Sequence, residues 1–145
     1  MGRGKRGRGE RKRCRFYVNT NFFVDLEKGE PKAVAFARKH RGELCTSTLL
    51  VMEYRAVGKG YVAKRIAREF GIAIVKASRG IVSRALRVCR EVLGIARPSP
   101  NTVIDVAHIL MAKRLGATFV TADESSVSRA RKLGVEALNY REEGV

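Results

Sequence analysis

Short apolar runs alternate along this chain with longer stretches in which apolar residues recur at helical spacing, and polar or glycine breaks separate the two. Arg15-Phe16-Tyr17-Val18 predicts a strand, and helical patterning follows near Thr20–Lys28. Pro31 suits a first helical position, where a missing N–H costs nothing, and it opens a helix through Arg41 that Gly42 closes. Leu44-Cys45-Thr46 predicts a brief strand, and "STLLVMEYRAV" a mostly buried helix entered through a Ser47 or Thr48 cap. Tyr61–Phe70 is amphipathic and stops at Gly71, and Ile72–Val75 is a β-rich run. Ile81–Leu93 places Val82, Leu86, Cys89 and Leu93 on one helical face, with Arg84, Arg87 and Arg90 off it. After the turn "ARPSPN", a long helix starts at Ser99-Pro100 or Asn101 and runs to Leu115, with Gly116 past its end. Thr118–Thr121 predicts a strand, Ser125–Leu133 a helix ended by Gly134, and Val135–Leu138 a last short strand. Strands separated by helices need crossover connections, so the expected fold is a three-layer α/β/α sandwich around a mainly parallel sheet.

Length and charge refine this picture. The 145 residues, 45% of them hydrophobic, suffice for one core and one domain. A folded body over residues 15–140 is expected, with a Gly/Arg-rich disordered arm over 1–14 and a C-terminal tail over 141–145. The chain carries 30 Lys and Arg against 14 Asp and Glu, a net charge of +16, which favours polyanionic partners such as RNA. Residues 1–15 hold Arg3, Lys5, Arg6, Arg8, Arg11, Lys12, Arg13 and Arg15 against Glu10 alone, a net +7 that leaves +9 for the remainder. With Arg84, Arg87 and Arg90, the arm supplies candidate phosphate contacts. Cys14, Cys45 and Cys89 are odd in number and widely spaced, without a CxxC pair, so neither a disulfide framework nor a zinc knuckle is expected. No apolar window reaches membrane-spanning length, and the chain reads as reduced and cytoplasmic.

The candidate chemistry lies at four breaks in the apolar pattern. In open parallel sheets the functional crevice lies beyond the carboxyl ends of the strands. Asn19-Thr20-Asn21 follows one strand directly, and Thr121-Ala122-Asp123-Glu124 contains the end of another. Glu53 follows Leu49-Leu50-Val51-Met52, and Asp105 lies between Val103-Ile104 and Val106-Ala107. Acids in such apolar company are costly unless paired or bound to a cation. Asn19, Glu53, Asp105 and Asp123 could together offer oxygen donors to a hard divalent ion, Mg²⁺ or Mn²⁺. An acidic centre in a basic protein is the pattern of a metal-dependent nuclease, in which cationic flanks hold phosphates and metal activates water. His108, three residues after Asp105, reads as a hydrogen-bonded histidine near the core, and Asp25 as a solvent-facing charge.

The segments "FYVNTNFFVDL", "TSTLLVMEYRAV", "NTVIDVAHILMAKRLGATFVTADES" and "LGVEALN" resemble, in order and spacing, those of PIN-domain proteins of the small prokaryotic VapC-like kind. The resemblance spans residues 14–140. It implies a metal-dependent endoribonuclease, a hydrolase often dimeric and in many members the toxin of a toxin–antitoxin pair with a small antitoxin protein as partner. It places the family's glutamate on Glu53, its helix acid on Asp105 and its last acid on Asp123, with Thr20, Asn21 and Thr121 as supporting polar residues. The first acid of the family falls on Asn19, which departs from the pattern: an amide oxygen still ligates a hard cation but brings no negative charge. Three accounts of Asn19 stay open, namely a variant of lowered metal affinity, a catalytically inactive PIN fold kept for RNA or partner binding, and a substitution that disarms a toxin. Glu124 is the nearest candidate to compensate for the lost charge.

Overall fold

The computed structural model describes residues 14–142, so residues 1–13 of the expected arm, with Arg3, Lys5, Arg6, Arg8, Arg11, Lys12 and Arg13, lie outside it, as do residues 143–145. Five strands form one sheet in the order β3-β2-β1-β4-β5: β1 (Phe16–Val18), β2 (Leu44–Ser47), β3 (Ala73–Val75), β4 (Thr118–Thr121) and β5 (Ala137–Asn139). Every neighbouring pair is parallel, with Tyr17 opposite Cys45 on one side and Phe119 on the other. Between the strands run α1 (Thr20–Glu27), α2 (Pro31–Lys39), α3 (Thr48–Ala56), α4 (Gly60–Phe70), α5 (Ile81–Glu91), α6 (Pro100–Leu115) and α7 (Glu124–Lys132). This is the expected three-layer arrangement.

The two-residue period of a strand sorts the core into two layers. Phe16 and Val18 of β1 join Phe22, Phe23, Phe36, Leu50, Tyr54 and Ile66 on the face covered by α1 to α4. Tyr17, between them, points to the opposite face and packs with Phe119, Ala107 and Met111 under α5, α6 and α7. One strand of three residues therefore sends a single phenol towards α6. Strands buried on both faces have no alternating polar positions, which is why β1 reads as an unbroken apolar run.

Helix ends follow local chemistry. Ser47 accepts from the Leu49 N–H, Ser99 from the Thr102 N–H, and Asp123 from the Ser125 N–H, each occupying a donor left over in a first helical turn. Gly116 closes α6 at φ 65°, a left-handed conformation that a side chain disfavours.

Three expectations are corrected. Cys14 and Cys45 form a disulfide, with Cα atoms 5.1 Å apart and 31 residues of separation. Cysteine spacing hides this pairing because Cys14 stands just before β1 and Cys45 within β2, two segments that only the folded sheet brings side by side. Asp25 is buried, bound by the Tyr140 hydroxyl and by Arg141 Nη2 at 2.6 Å, because α1 turns that face towards the turn that follows β5. In α5 Cys89 is buried and Leu86 packs against the core as expected, as does Leu93 just past the helix, but Val82 is exposed and Ile81 and Ala85 are buried instead; Arg84, Arg87 and Arg90 face outward as expected.

Candidate active site

The chain leaves β1 towards β2 and later returns to β4 on the opposite side of β1, so the sheet's switch point lies between the carboxyl ends of β1 and β4. Asn19 is the first residue past β1, and Thr121 is the last of β4. Asn19 Nδ2 donates to Thr121 Oγ1 at 3.0 Å, which closes the switch point. Asn21 Nδ2 donates to the same oxygen at 3.1 Å, and the Asp123 N–H does so at 3.2 Å. Asn21 Oδ1 in turn accepts from the Ala122 N–H. Three donors thus converge on one hydroxyl that has two lone pairs. The remaining atom of the first amide, Asn19 Oδ1, is buried without a hydrogen-bond partner.

Glu53 projects from α3 towards the same edge. Its Oε1 accepts from Thr20 Oγ1 at 2.7 Å and pairs with His108 Nε2 at 2.7 Å, and its side chain is about one-third exposed. Asp105, on α6 one turn before His108, is half-buried, and among the hydrogen bonds of the described residues none involves its carboxylate. Burial pushes the Asp105 carboxyl up to about 6; His108 and Arg129 oppose the rise, while the charges of Glu53 and Asp123 add to it. Burial also pulls the Asp123 carboxyl upward, but hydrogen bonds from Ser125 and Ser126 outweigh it and hold this acid below the ordinary carboxylate range.

The structure thus gathers Asn19, Thr20, Asn21, Glu53, Asp105, Thr121 and Asp123 at one end of the sheet. It does not draw three acids into a tight cluster: among the described residues no group of three or more His, Cys, Asp or Glu side chains stands close enough to hold a metal ion. Glu53 is held by Thr20 and His108, and Asp123 by its serines, which keeps the like charges apart. The donor chemistry nevertheless fits a hard divalent cation, because it consists of oxygens, leaves Asp105 unpaired and leaves one amide oxygen buried without a donor. Glu124 does not face this centre; it is exposed and accepts from Asn139 Nδ2 at 2.7 Å. Arg129, Ser125, Ser126 and Tyr17 also belong to the site and escape a reading by motif. The two serines have a signal in the sequence, a Ser-Ser pair after an acid at a helix start.

A comparison with curated protein sequences finds no match. Among solved structures the chain is similar to FitAB bound to an IR36 DNA fragment, with 16% identity, TM-score 0.64 and coverage of 90% of this chain and 98% of that one. It is also similar to VapBC-1 from nontypeable Haemophilus influenzae, with 17% identity, TM-score 0.63 and coverage of 88% and 98%. DNA-bound VapBC from Salmonella typhimurium is 12% identical, with TM-score 0.62 and coverage of 88% and 98%. These likenesses concern the fold. The family model of the PIN domain matches residues 16–133, which includes every strand but β5 and every residue of the site, and the chain belongs to the PIN-domain family.

Proposed function

We propose that this protein is a PIN-type endoribonuclease dependent on Mg²⁺ or Mn²⁺, with Glu53, Asp105 and Asp123 as its acids and Asn19 as a neutral oxygen ligand. The observation that carries the reading is the half-buried Asp105 carboxylate, without a hydrogen-bond partner among the described residues, at the same sheet edge as Glu53, Asp123 and the buried, unpartnered Asn19 Oδ1. Like charges held at one sheet edge are stabilised by a cation. When bound there, such an ion supplies Lewis acidity towards a phosphodiester oxygen. Thr20 fixes the Glu53 carboxylate, Thr121 aligns Asn19 and Asn21, and Ser125 and Ser126 keep Asp123 ionised. Asp105 and Glu53 are then the groups placed to take a proton from attacking water. The net charge of +16 and the outward Arg84, Arg87 and Arg90 favour an RNA backbone as substrate.

The similarity to FitAB and VapBC supports a toxin role with an antitoxin protein as partner. A groove of about 520 Å³, lined by Thr20, Val24, Glu53, Tyr54, Val57 and Lys59, opens beside the site and suits a partner segment. Self-association as a homodimer belongs to the same reading. The neutral Asn19 favours a second reading, a PIN fold that binds RNA or a partner without cutting.

A labelled unstructured RNA incubated with the full chain and with Asn19→Asp, in Mn²⁺, in Mg²⁺ and in chelator, tests the proposal. Metal-dependent cleavage by either chain that Asp105→Ala and Asp123→Ala abolish is the expected result. Cleavage indifferent to chelator and to both substitutions would refute it, and RNA binding without cleavage by either chain would favour the second reading.

A further inference from the structure

A chain of buried hydrogen bonds behind the acidic edge serves no purpose in the mechanism above. Tyr17 Oη lies 2.7 Å from Ser47 Oγ and 2.7 Å from His108 Nδ1. His108 Nε2 lies 2.7 Å from Glu53 Oε1. Tyr17 is fully buried and His108 almost so, while Glu53 reaches solvent. Four separate elements contribute: β1 brings Tyr17, the end of β2 brings Ser47, α3 brings Glu53 and α6 brings His108.

Hydrogen accounting gives this chain a direction. Ser47 Oγ already accepts the Leu49 N–H at 3.3 Å as the cap of α3. A carboxylate only accepts, so Glu53 takes its hydrogen from His108 Nε2; a neutral imidazole then accepts at Nδ1, which assigns the Tyr17 hydrogen to Nδ1 and leaves Tyr17 Oη to accept the hydrogen of Ser47. Thr20 adds a second donor to the same carboxylate oxygen. Each hydrogen is used once, from a backbone N–H to the acid. Burial raises the Tyr17 phenol, which keeps it a donor across the neutral range.

We propose that His108 is a positioning residue for Glu53, its ring fixed and its Nε2 hydrogen aimed by the buried Ser47–Tyr17 hydroxyl pair. Both ring nitrogens are occupied, so His108 acts through Glu53 and is not itself a metal ligand. An unrestrained glutamate on a partly exposed helix face samples several rotamers; one held by two donors offers its second oxygen in a single direction. The inference rests on the nuclease reading for its purpose, and its test separates the two.

The full chain labelled with ¹⁵N is examined for the imidazole of His108. The expected spectrum has the hydrogen on Nε2 and an accepting Nδ1. The Nε2 hydrogen resonance should shift in Glu53→Gln and broaden in Tyr17→Phe, which keeps the buried ring. A hydrogen on Nδ1 alone, or a resonance indifferent to both substitutions, would overturn the proposal. Calorimetry with Mn²⁺ as the probe gives the second measurement. His108→Leu should weaken binding by about 10-fold or more, Tyr17→Phe by about 3- to 10-fold, and His108→Gln, whose amide nitrogen reaches the place of Nε2, by less than about 3-fold. In a Glu53→Gln background His108→Leu should add no further loss. Equal losses for His108→Gln and His108→Leu at unchanged melting temperature would reduce His108 to a packing residue. If His108→Leu does not fold, the other two variants carry the comparison. Failure of both the parent and Asn19→Asp to bind Mn²⁺ would count against the nuclease, while the imidazole resonance alone would still decide the role of His108.

Discussion

Replacing Asn19 by aspartate exchanges one N–H₂ group for an oxygen, and the hydrogen bonds around Thr121 give the size of the effect. Thr121 Oγ1 now receives donors at 3.0, 3.1 and 3.2 Å from Asn19, Asn21 and the Asp123 N–H. A hydroxyl accepts two and donates one, so the third donor is in excess, and among the described residues no hydrogen bond has the Thr121 hydroxyl as donor. Reversing the amide does not repair this, because the N–H₂ group would then replace the buried Oδ1 that already has no partner. An aspartate repairs the Thr121 end: one oxygen accepts the Thr121 hydrogen, while the other keeps the place of Oδ1 and stays open to a cation. A hydrogen bond to a charged group contributes about 1.5–3 kcal/mol. In the metal-free protein that gain is offset by repulsion from Glu53, Asp105 and Asp123, so Asn19→Asp should melt no higher than the parent in chelator. With a cation present the repulsion becomes attraction, and Mn²⁺ affinity should rise roughly 10- to 150-fold. Calorimetric titration with Mn²⁺, paired with melting curves in chelator and in Mn²⁺, reads both quantities. A folded Asn19→Asp that binds Mn²⁺ no better than the parent would refute the claim that this position is built around a carboxylate.

Asp105→Asn tests the acidic edge through pH. The folded-state carboxyl sits at about 6 against an ordinary 3.8, so the unfolded chain loses its proton first as pH rises. The stabilising contribution is present in full below about 3.8, falls as pH rises and is gone above about 6, a loss of roughly 2 kcal/mol after allowance for solvent screening. In chelator the parent should therefore lose more stability between pH 4 and 7 than Asp105→Asn, whose melting temperature at pH 7 should be higher by about 4–8 °C; parallel pH profiles would contradict this. Asp25→Asn removes the charge that Arg141 and the Tyr140 hydroxyl share, and should cost about 1–3 kcal/mol in urea unfolding, with Mn²⁺ binding unchanged. Reduction of the Cys14–Cys45 bridge frees a 31-residue loop and should cost about 3–4 kcal/mol by chain entropy, seen as a lower melting temperature with reductant and as two additional alkylated thiols by mass.

The elements were legible because each local signal agreed with the tertiary result. Pro31, Ser47, Ser99, Gly71 and Gly116 mark helix ends that the structure keeps within a residue or two, and β1 to β5 appear where apolar runs stand between glycine or polar breaks. What stayed hidden depends on residues far apart in the chain. Asp25 looks like a surface acid until Arg141 and Tyr140 arrive 116 and 115 residues later. Cys14 and Cys45 have no spacing signal because the pairing of β1 with β2, not sequence distance, brings the two segments together. The face of α5 differs from the expected one at Val82 alone, because Val82 and Ala85 lie close on a helical wheel and the larger residue is the one left outside, while Leu86, Cys89 and Leu93 keep the core side.

The place of the acids at one sheet edge was legible for a physical reason that also explains why the groups around them were not. A carboxylate in an apolar segment announces itself, since burial without compensation is costly. The group that compensates it has no such signature: Tyr17 in an apolar strand reads as one more core aromatic, and a serine before a helix reads as a cap. Both readings are true, and both residues carry a second duty at their hydroxyls. Period-two alternation decides the matter for Tyr17. Moving β1 by one residue in register would turn its phenol to the face of α1 to α4 and bring Phe16 and Val18 against α6, leaving Ser47 and His108 without their shared partner. The apolar pattern that builds the core therefore also aims the one hydroxyl in β1 at the helix that carries Asp105, and the stability of the sheet and the geometry of its acidic edge depend on the same register.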